Sequence, residues 1–284
     1  MSAFKAAVQG DGFALSAELT VQKESSADDV RRQADALAGL ADGIQVTDNP
    51  HAWVQMSALA ASAILVEQGF DPVPVLTCRD RNRLALQNDL AGLQALGVDS
   101  IMLMRGHRVP KEHSVPASTV FDLTGRELIE LAATLSDKFH IGTGAKLFRP
   151  GPKWQADSLS KRYEAGARFL QTQLCFNPEI LHWYMRRFVE AGLDRKYSIM
   201  VSLSPLPSAT TAKWVREHLG DSRIPADVFQ RLEDAADPEK EGIEICAELM
   251  QQYSEIPGVS GINLMTTGDP GALKETIRIS GLRD

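Results

Sequence analysis

Short apolar runs recur along the chain, and each is separated from the next by a stretch with helical periodicity. Continuous apolar runs of this kind, broken by helices, are typical of parallel strands that are buried on both faces. Eight strand–helix units predict a closed (β/α)8 TIM barrel, an α/β fold whose active site lies at the carboxyl ends of the strands. The predicted strands are Phe13–Leu19, Gly43–Val46, Val73–Leu76, Ser100–Met104, Ile141–Ala145, Phe169–Leu174, Ser198–Leu203 and Gly261–Met265.

The stretches between the strands carry apolar residues three or four positions apart, and several stop at a glycine. In Arg83–Leu96, for example, Leu86, Leu90 and Leu93 share one face, and Gly97 follows. Two additional helices precede the last strand, and residues 1–284 are expected to form one domain. The predicted helices are Asp28–Leu40, Trp53–Glu67, Arg83–Leu96, Arg126–Leu135, Ser158–Ala165, Pro178–Ala191, Ala209–Leu219, Pro225–Ala235, Pro238–Tyr253 and Pro270–Ile279.

The composition is that of a globular protein with a full core. The 284 residues are 44% hydrophobic and 24% charged, and no tract has a disordered composition. The net charge of −7 argues against a nucleic-acid or anionic-membrane surface. No apolar run reaches the ~18 residues of a membrane span and no signal-peptide pattern is seen, so we expect a cytoplasmic protein. Cys78, Cys175 and Cys246 are far apart, which predicts free buried thiols and no metal site.

A carboxylate, Glu18, lies inside the end of the first apolar run. A charged group in an apolar strand is costly unless it is paired or placed at the barrel mouth. Burial would raise its pKa and suit it to act as a general acid near neutral pH. The alternative is a glutamate at a solvated strand end.

Two further polar clusters follow strands three and four. Thr77–Asn82 has the sequence T-C-R-D-R-N, which could bind an anion or form an ion-pair network above the barrel. Arg105, Gly106 and His107 end strand four: glycine allows a ligand to approach the backbone, and arginine suits a diphosphate or carboxylate. His107 is a candidate acid or base, although a single histidine is weak evidence.

Strand six ends with Thr172 and Gln173, and the amide of Gln173 offers a donor and an acceptor, as a pterin edge requires. A glutamine satisfied within the core is the alternative. Lys161 and Arg162 lie on the preceding helix, and two adjacent basic residues there would ordinarily belong to its solvent-exposed face. Two irregular segments, residues 108–119 and 147–155, follow strands four and five, where loops of a barrel commonly carry function.

These motifs, in this order, resemble the methylenetetrahydrofolate reductase family over nearly the whole chain. The most specific match is Leu76–Asn82 to the family's L-T-C-R-D-R-N, followed by L-G-V and Arg105-Gly106 where the family has L-G-I and G-D. Weaker matches are Val120–Leu123, Glu164–Ala167 together with Thr172-Gln173, Arg223–Pro225 and Gly258–Gly261.

The resemblance implies a barrel that carries FAD and interconverts 5,10-methylene- and 5-methyltetrahydrofolate with NAD(P)H. Glu18 matches the acid that protonates the folate N10, Gln173 matches the glutamine that holds the pterin, and Thr77 and Asp80 are expected to contact the substrate. The positions that match the flavin site are Thr47, Arg105, Gly106, His107, Lys161 and Arg162. The expected partners are a folate and a nicotinamide nucleotide, without nucleic acid or membrane, and homo-oligomerisation is left open.

Some positions depart from the family pattern. Ala17–Lys23 replaces the aromatic, proline-rich F-E-F-F-P-P-K, and His107 replaces the aspartate of the family's G-D. Histidine cannot supply the negative charge that would stabilise a cationic intermediate. Two alternatives therefore remain open: a flavin-independent reductase with direct hydride transfer from the nicotinamide, and a non-catalytic folate-binding partner subunit.

Overall fold

A computed structural model describes residues 2–10, 12–110, 116–151, 153–219, 222, 224–265 and 268–283. Over this part of the chain, each strand pairs in parallel with the next, and the last strand pairs with the first, which closes the barrel. The predicted (β/α)8 fold is confirmed. The strands are β1 (Ala14–Leu19), β2 (Gly43–Val46), β3 (Pro72–Thr77), β4 (Ser100–Met104), β5 (His140–Ala145), β6 (Ala167–Leu174), β7 (Ser198–Leu203) and β8 (Gly261–Leu264).

The helices form the outer layer of the barrel, and their buried apolar side chains make one large core with the outward residues of the strands. The predicted extra helices before β8 are confirmed as α9 and α10. The helices are α1 (Ala3–Gln9), α2 (Ala27–Ala36), α3 (Ala58–Glu67), α4 (Arg83–Ala95), α5 (Gly125–Leu135), α6 (Asp157–Ala165), α7 (Pro178–Glu190), α8 (Ala209–His218), α9 (Ala226–Asp234), α10 (Pro238–Ser254) and α11 (Pro270–Ser280).

The start of α3 differs from the sequence prediction, which placed it at Trp53. Ser57 is the N-cap, and its side chain accepts a hydrogen bond from the backbone N–H of Ala60. Upstream, a short 3-10 turn covers Pro50–Ala52, and His51 has a φ of 54°, a left-handed conformation that interrupts a regular helix. The apolar periodicity therefore extends further than the helix itself.

A short helix that the sequence did not predict, α1, closes the amino-terminal end of the barrel. Its side chains Phe4 and Val8 are buried among inward-facing residues of the strands. Gly43 makes room for this helix, because a Cβ at that position would lie 2.8 Å from ring atoms of Phe4. Since this end is filled by apolar side chains, a ligand reaches the barrel interior from the carboxyl ends of the strands.

The barrel interior becomes polar toward those carboxyl ends. The hydroxyl of Ser16 on β1 donates to the side-chain oxygen of Asn263 on β8 at 2.7 Å. Gln45 on β2 and Gln171 on β6 exchange two amide hydrogen bonds, at 2.8 and 3.1 Å. Buried polar groups are costly unless they are paired, so these residues mark where the apolar core ends and the mouth begins.

The three cysteines are buried and free, as the sequence predicted. Among the described residues, no helix is both long and apolar enough to cross a membrane.

Candidate active site

Glu18 lies at the penultimate position of β1, and its backbone is in register with Gln45 of β2. Its side chain is partly buried, and burial raises the pKa of the carboxyl group from 4.5 to about 8. The group therefore keeps its proton at neutral pH. The structure thus gives Glu18 a partly buried, protonated carboxyl group rather than a solvated strand end.

Gln173 lies near the carboxyl end of β6, where its amide forms two hydrogen bonds with the backbone of Leu147. Leu147 N–H donates to Oε1 of Gln173 at 2.9 Å, and Nε2 of Gln173 donates back to the Leu147 carbonyl oxygen at 3.2 Å. This pairing fixes the segment that leaves β5. Gln173 therefore orders part of the mouth before any substrate binds.

The Thr77–Asn82 segment forms an ion-pair network with the end of β2. The Asp48 carboxylate accepts hydrogen bonds from the backbone N–H and hydroxyl of Thr77, at 2.8 and 2.7 Å. Arg81 adds two more to the same carboxylate, both at 2.8 Å. Of the two sequence interpretations, the network is the one present, and the Thr77 hydroxyl is part of it.

A second pair in this network joins Arg79 to Asp80 through two hydrogen bonds of 2.6 Å. Burial favours the neutral acid at Asp80, but the hydrogen bonds from Arg79 and Asn49 outweigh it and lower its pKa. Nη2 of Arg79, which donates to Asp80, also donates to the carbonyl oxygen of Asn49 at 2.9 Å. Asp80 is thus an ionised, partnered carboxylate at the mouth.

Three of the predicted cofactor residues, Arg105, Lys161 and Arg162, line one cavity of about 730 Å³. It lies between the carboxyl ends of β4 and β5 and the first turns of α5 and α6. Arg126 lines it too, although the sequence indicated no more than a helix start there. Arg162 is held in place by a hydrogen bond to the carbonyl oxygen of Gly144.

The donor set of this cavity fits the phosphates of a dinucleotide such as FAD or NAD(P)H. Four cationic side chains surround it, and two helix amino termini, which attract anions, begin at its wall. The Arg105 guanidinium lies 4.1 Å from the ring centroid of Phe121, which orients it. Asp157 is an acidic residue in the same lining, so the cavity is mostly but not uniformly positive.

Gly106 and His107 follow β4 at the mouth. Gly106 has a φ of 78°, and a Cβ there would lie 3.2 Å from the Cβ atoms of Thr77 and Arg79, so glycine is required. His107 is exposed and close to His51, whose pKa is lowered by burial and then by the positive charge of His107.

The remaining predicted flavin residue, Thr47, directly follows β2 and is partly buried. Its hydroxyl donates to the side-chain oxygen of Gln55 at 3.2 Å. Part of the irregular segment 108–119 after β4, residues 111–115, lies outside the described residues. Directly after that segment, Val120 N–H donates to the carbonyl oxygen of Arg79, in the stretch that follows β3, at 2.8 Å.

Sequence reasoning missed three polar residues that shape the mouth: Asp48, Gln45 and Gln171. Asp48 lies in Thr47-Asp48-Asn49, a polar stretch that follows the second apolar run but matches no recognisable motif. Each glutamine lies within an apolar run, one position away from residues that face outward. Because side chains alternate along a strand, this position indicates that the glutamine faces the barrel interior. Their pairing joins residues 126 positions apart and has no local pattern.

Comparisons with known proteins indicate the family and the fold of the chain. A protein-family model described as methylenetetrahydrofolate reductase matches residues 4–281. A Caenorhabditis elegans protein, "Probable methylenetetrahydrofolate reductase (NADPH)", is 26% identical over 238 residues, which cover 81% of this chain and 35% of that protein. The chain thus spans about a third of the length of this curated relative.

Two solved structures share the fold. A Clostridium thermocellum protein that binds two copies of 5-methyl-5,6,7,8-tetrahydrofolic acid superposes with a TM-score of 0.67 at 12% identity, covering 97% of this chain and 96% of its own. A dihydropteroate synthase from Coxiella burnetii in complex with pteroic acid gives a TM-score of 0.50 at 12% identity, with 95% and 93% coverage. At this identity the two likenesses concern the fold, whereas the family model reaches from the first helix to the last: the chain belongs to the methylenetetrahydrofolate reductase family.

Proposed function

We propose that this protein reduces 5,10-methylenetetrahydrofolate to 5-methyltetrahydrofolate, or catalyses the reverse reaction, with NAD(P)H as the electron source. The observation that carries the proposal is the protonated, partly buried Glu18 at the mouth of a barrel of this family. The structural neighbour that binds 5-methyltetrahydrofolate supports a folate as the ligand of this fold. A general acid is needed because the carbon–nitrogen bond that opens has a poor amine leaving group.

In the proposed mechanism, Glu18 gives its proton to N10 of the bound folate. The bond between N10 and the methylene carbon then breaks, and an iminium forms between N5 and that carbon. A hydride adds to the methylene carbon and completes the 5-methyl group. Positioned acids of this kind contribute about 10²–10⁴-fold in rate, and burial keeps Glu18 in the form that can donate.

The substrate would be held by groups at the same end of the barrel. Gln173 is proposed to hold the pterin, on the family match, while it also orders the backbone at Leu147. Thr77 and Asp80 would face the substrate from the network above β3, where their positions are fixed by Asp48 and Arg79. Such preorganisation lowers the entropy cost of bringing the reacting groups together.

The cavity beside β4 and β5 is the proposed nucleotide site. Arg105, Lys161 and Arg162 would bind the phosphates of FAD, with Thr47, Gly106 and His107 nearer to the ring system. When bound, the flavin would supply the hydride after its own reduction by NAD(P)H. The chain would contribute positive charge for the phosphates, would orient the bound molecules, and would exclude water from the amino-terminal end of the barrel, which α1 closes.

A flavin-independent reductase is the second candidate, and His107 is the observation that favours it. An exposed histidine stands where the family pattern has an aspartate, and it lies beside His51. In that case NAD(P)H itself would occupy the mouth and deliver hydride to the methylene carbon.

A turnover assay tests the proposal. Purified protein would be given 5,10-methylenetetrahydrofolate with NADH or NADPH, before and after removal of any flavin and with FAD restored. We expect turnover that depends on FAD; turnover that survives complete flavin removal selects the second candidate. Absence of turnover in both reaction directions, with folate still bound, would indicate the non-catalytic subunit instead.

A further inference from the structure

Gln45 and Gln171 form a reciprocal amide pair across the barrel. Nε2 of Gln45 donates to Oε1 of Gln171 at 2.8 Å, and Nε2 of Gln171 donates to Oε1 of Gln45 at 3.1 Å. The strands that carry them, β2 and β6, stand four places apart in a ring of eight, on opposite sides of the barrel. The pair therefore bridges the whole interior.

The bridge lies between the groups that the proposed chemistry uses. Gln45 is in register with Glu18 on the neighbouring strand, and Gln171 precedes Gln173 by two residues on β6. Gln171 is also in register with Gly144 on β5, which lines the nucleotide cavity. A substrate bound between Glu18 and Gln173 would therefore contact the Gln45–Gln171 pair.

The two amides differ in exposure. Gln45 is only 2% exposed, whereas Gln171 is partly exposed. A carboxamide has two N–H donors and an oxygen with two lone pairs, and the reciprocal pair uses one donor and one lone pair of each residue. Gln171 therefore retains a donor and a lone pair that solvent or a ligand can reach, and Gln45 fixes the direction in which they point.

We propose that Gln171 binds the amide-like edge of the pterin and that Gln45 is the positioning residue that orients it. This inference rests on the proposed function, because it takes a reduced folate as the ligand. The pterin edge presents a carbonyl oxygen beside ring N–H and amino groups, so one carboxamide can donate and accept at adjacent atoms. A site whose buried polar groups need such a partner discriminates strongly against ligands that lack it.

Preorganisation explains why a second glutamine serves this role. A freely rotating Gln171 side chain would lose rotamer entropy on binding, and the pair with Gln45 removes that cost in advance. The amide of Gln173 likewise accepts one hydrogen bond and donates one, to the two backbone groups of Leu147. Recognition of the pterin would thus be shared between the two glutamines of β6.

The test is equilibrium binding to Gln171→Leu, Gln45→Leu and the double variant. The ligands are 5-methyltetrahydrofolate and p-aminobenzoylglutamate, which lacks the pterin. We expect Gln171→Leu and the double variant to raise the Kd for 5-methyltetrahydrofolate about 10- to 100-fold, with a smaller effect of Gln45→Leu. Binding of p-aminobenzoylglutamate should stay unchanged in all three.

The double variant separates a loss of binding from a loss of stability. Replacing both partners of a buried polar pair by apolar groups of similar size is often nearly neutral, whereas removing one leaves an unsatisfied amide. Ser16→Ala, which removes the hydrogen bond to Asn263 deeper in the same barrel, is the matched control and should leave both affinities unchanged.

Two outcomes overturn the inference, and they are distinguishable. If the wild-type protein binds 5-methyltetrahydrofolate and the folded double variant binds it equally well, the amide pair is purely structural. If the wild-type protein does not bind this folate at all, the proposed function fails and the inference falls with it.

Discussion

The Asp48 carboxylate, whose side chain is 1% exposed, receives a two-pronged hydrogen bond from Arg81, with both distances at 2.8 Å. It also binds the backbone and hydroxyl of Thr77, so one carboxylate joins the end of β2 to the end of β3. Bidentate, charge-assisted bonds of this kind are strong and geometrically specific. The polar residues at the carboxyl ends of two neighbouring strands are thus held in fixed positions at the barrel mouth.

Removing this carboxylate should destabilise the fold. We expect Asp48→Ala to lower the free energy of unfolding by about 3 kcal/mol, because Arg81 would lose its buried partner. Asp28→Ala, which removes an exposed pair with Arg31, should have a much smaller effect on the free energy of unfolding. Urea unfolding of both variants measures the difference, and equal small losses would mean that the network above β3 contributes little.

Glu18→Gln should abolish most of the activity while the protein stays folded. The two side chains are nearly isosteric, but an amide cannot give a proton to N10, so kcat should fall by about 10²–10⁴-fold. Glu24→Gln, at an exposed position, is the control and should retain full activity. Activity within a few-fold of wild type in Glu18→Gln would remove the general acid from the mechanism.

The same residue predicts a pH dependence of stability. Because burial raises the pKa of Glu18 to about 8, the folded state holds a proton that the unfolded state releases near its ordinary pKa of 4.5. Stability from this group is therefore complete below about pH 4.5 and is lost as pH rises toward 8. The melting temperature of Glu18→Gln, relative to wild type, should rise between pH 5 and pH 8; a constant difference would contradict the raised pKa.

Charge at the mouth should control the affinity for flavin. His107→Asp restores the carboxylate of the family pattern, and we expect a larger fraction of purified protein to carry flavin, as measured by visible absorbance. His182→Asp, on the exposed surface of α7, is the control for a general change of charge. Unchanged flavin content in His107→Asp would mean that this position does not tune the cofactor.

Lys161 should contribute to nucleotide binding through its charge. It is exposed at the wall of the cavity, so Lys161→Ala should raise the Kd for FAD or NADH several-fold, with a weaker effect at high salt. Lys213→Ala, on α8, provides a matched loss of one surface charge. If Lys161→Ala and Lys213→Ala bind FAD or NADH with equal affinity, the phosphates of the nucleotide do not bind beside Lys161.

The barrel was predictable because its strands are buried on both faces and stand out as apolar runs. Observed strand ends differ from the predicted ones by at most two residues, as in β6, which starts at Ala167 rather than Phe169. Helix α1 escaped prediction because its seven residues bury just Phe4 and Val8, too few to show a period. Ser2, which caps this helix, was the remaining signal.

The candidate site was predictable only in part. Arg105, Lys161 and Arg162 were expected to act together, and the structure brings them to one cavity. The pairing of Gln45 with Gln171 depends on closure of the barrel, which places opposite strands face to face across the interior. A local sequence pattern contains no information about such a contact, so it became visible only in three dimensions.

The protonation state of Glu18 is the quantity on which the proposed chemistry depends most. Carbon-13 NMR of the protein labelled at glutamate carboxyl carbons, with Glu18→Gln used to assign the signal, follows this single group through a pH titration. The account predicts a midpoint near pH 8, so that the acid is protonated at neutral pH. A midpoint near 4.5, the ordinary value for glutamate, would leave a carboxylate at the mouth and contradict its role as the proton donor.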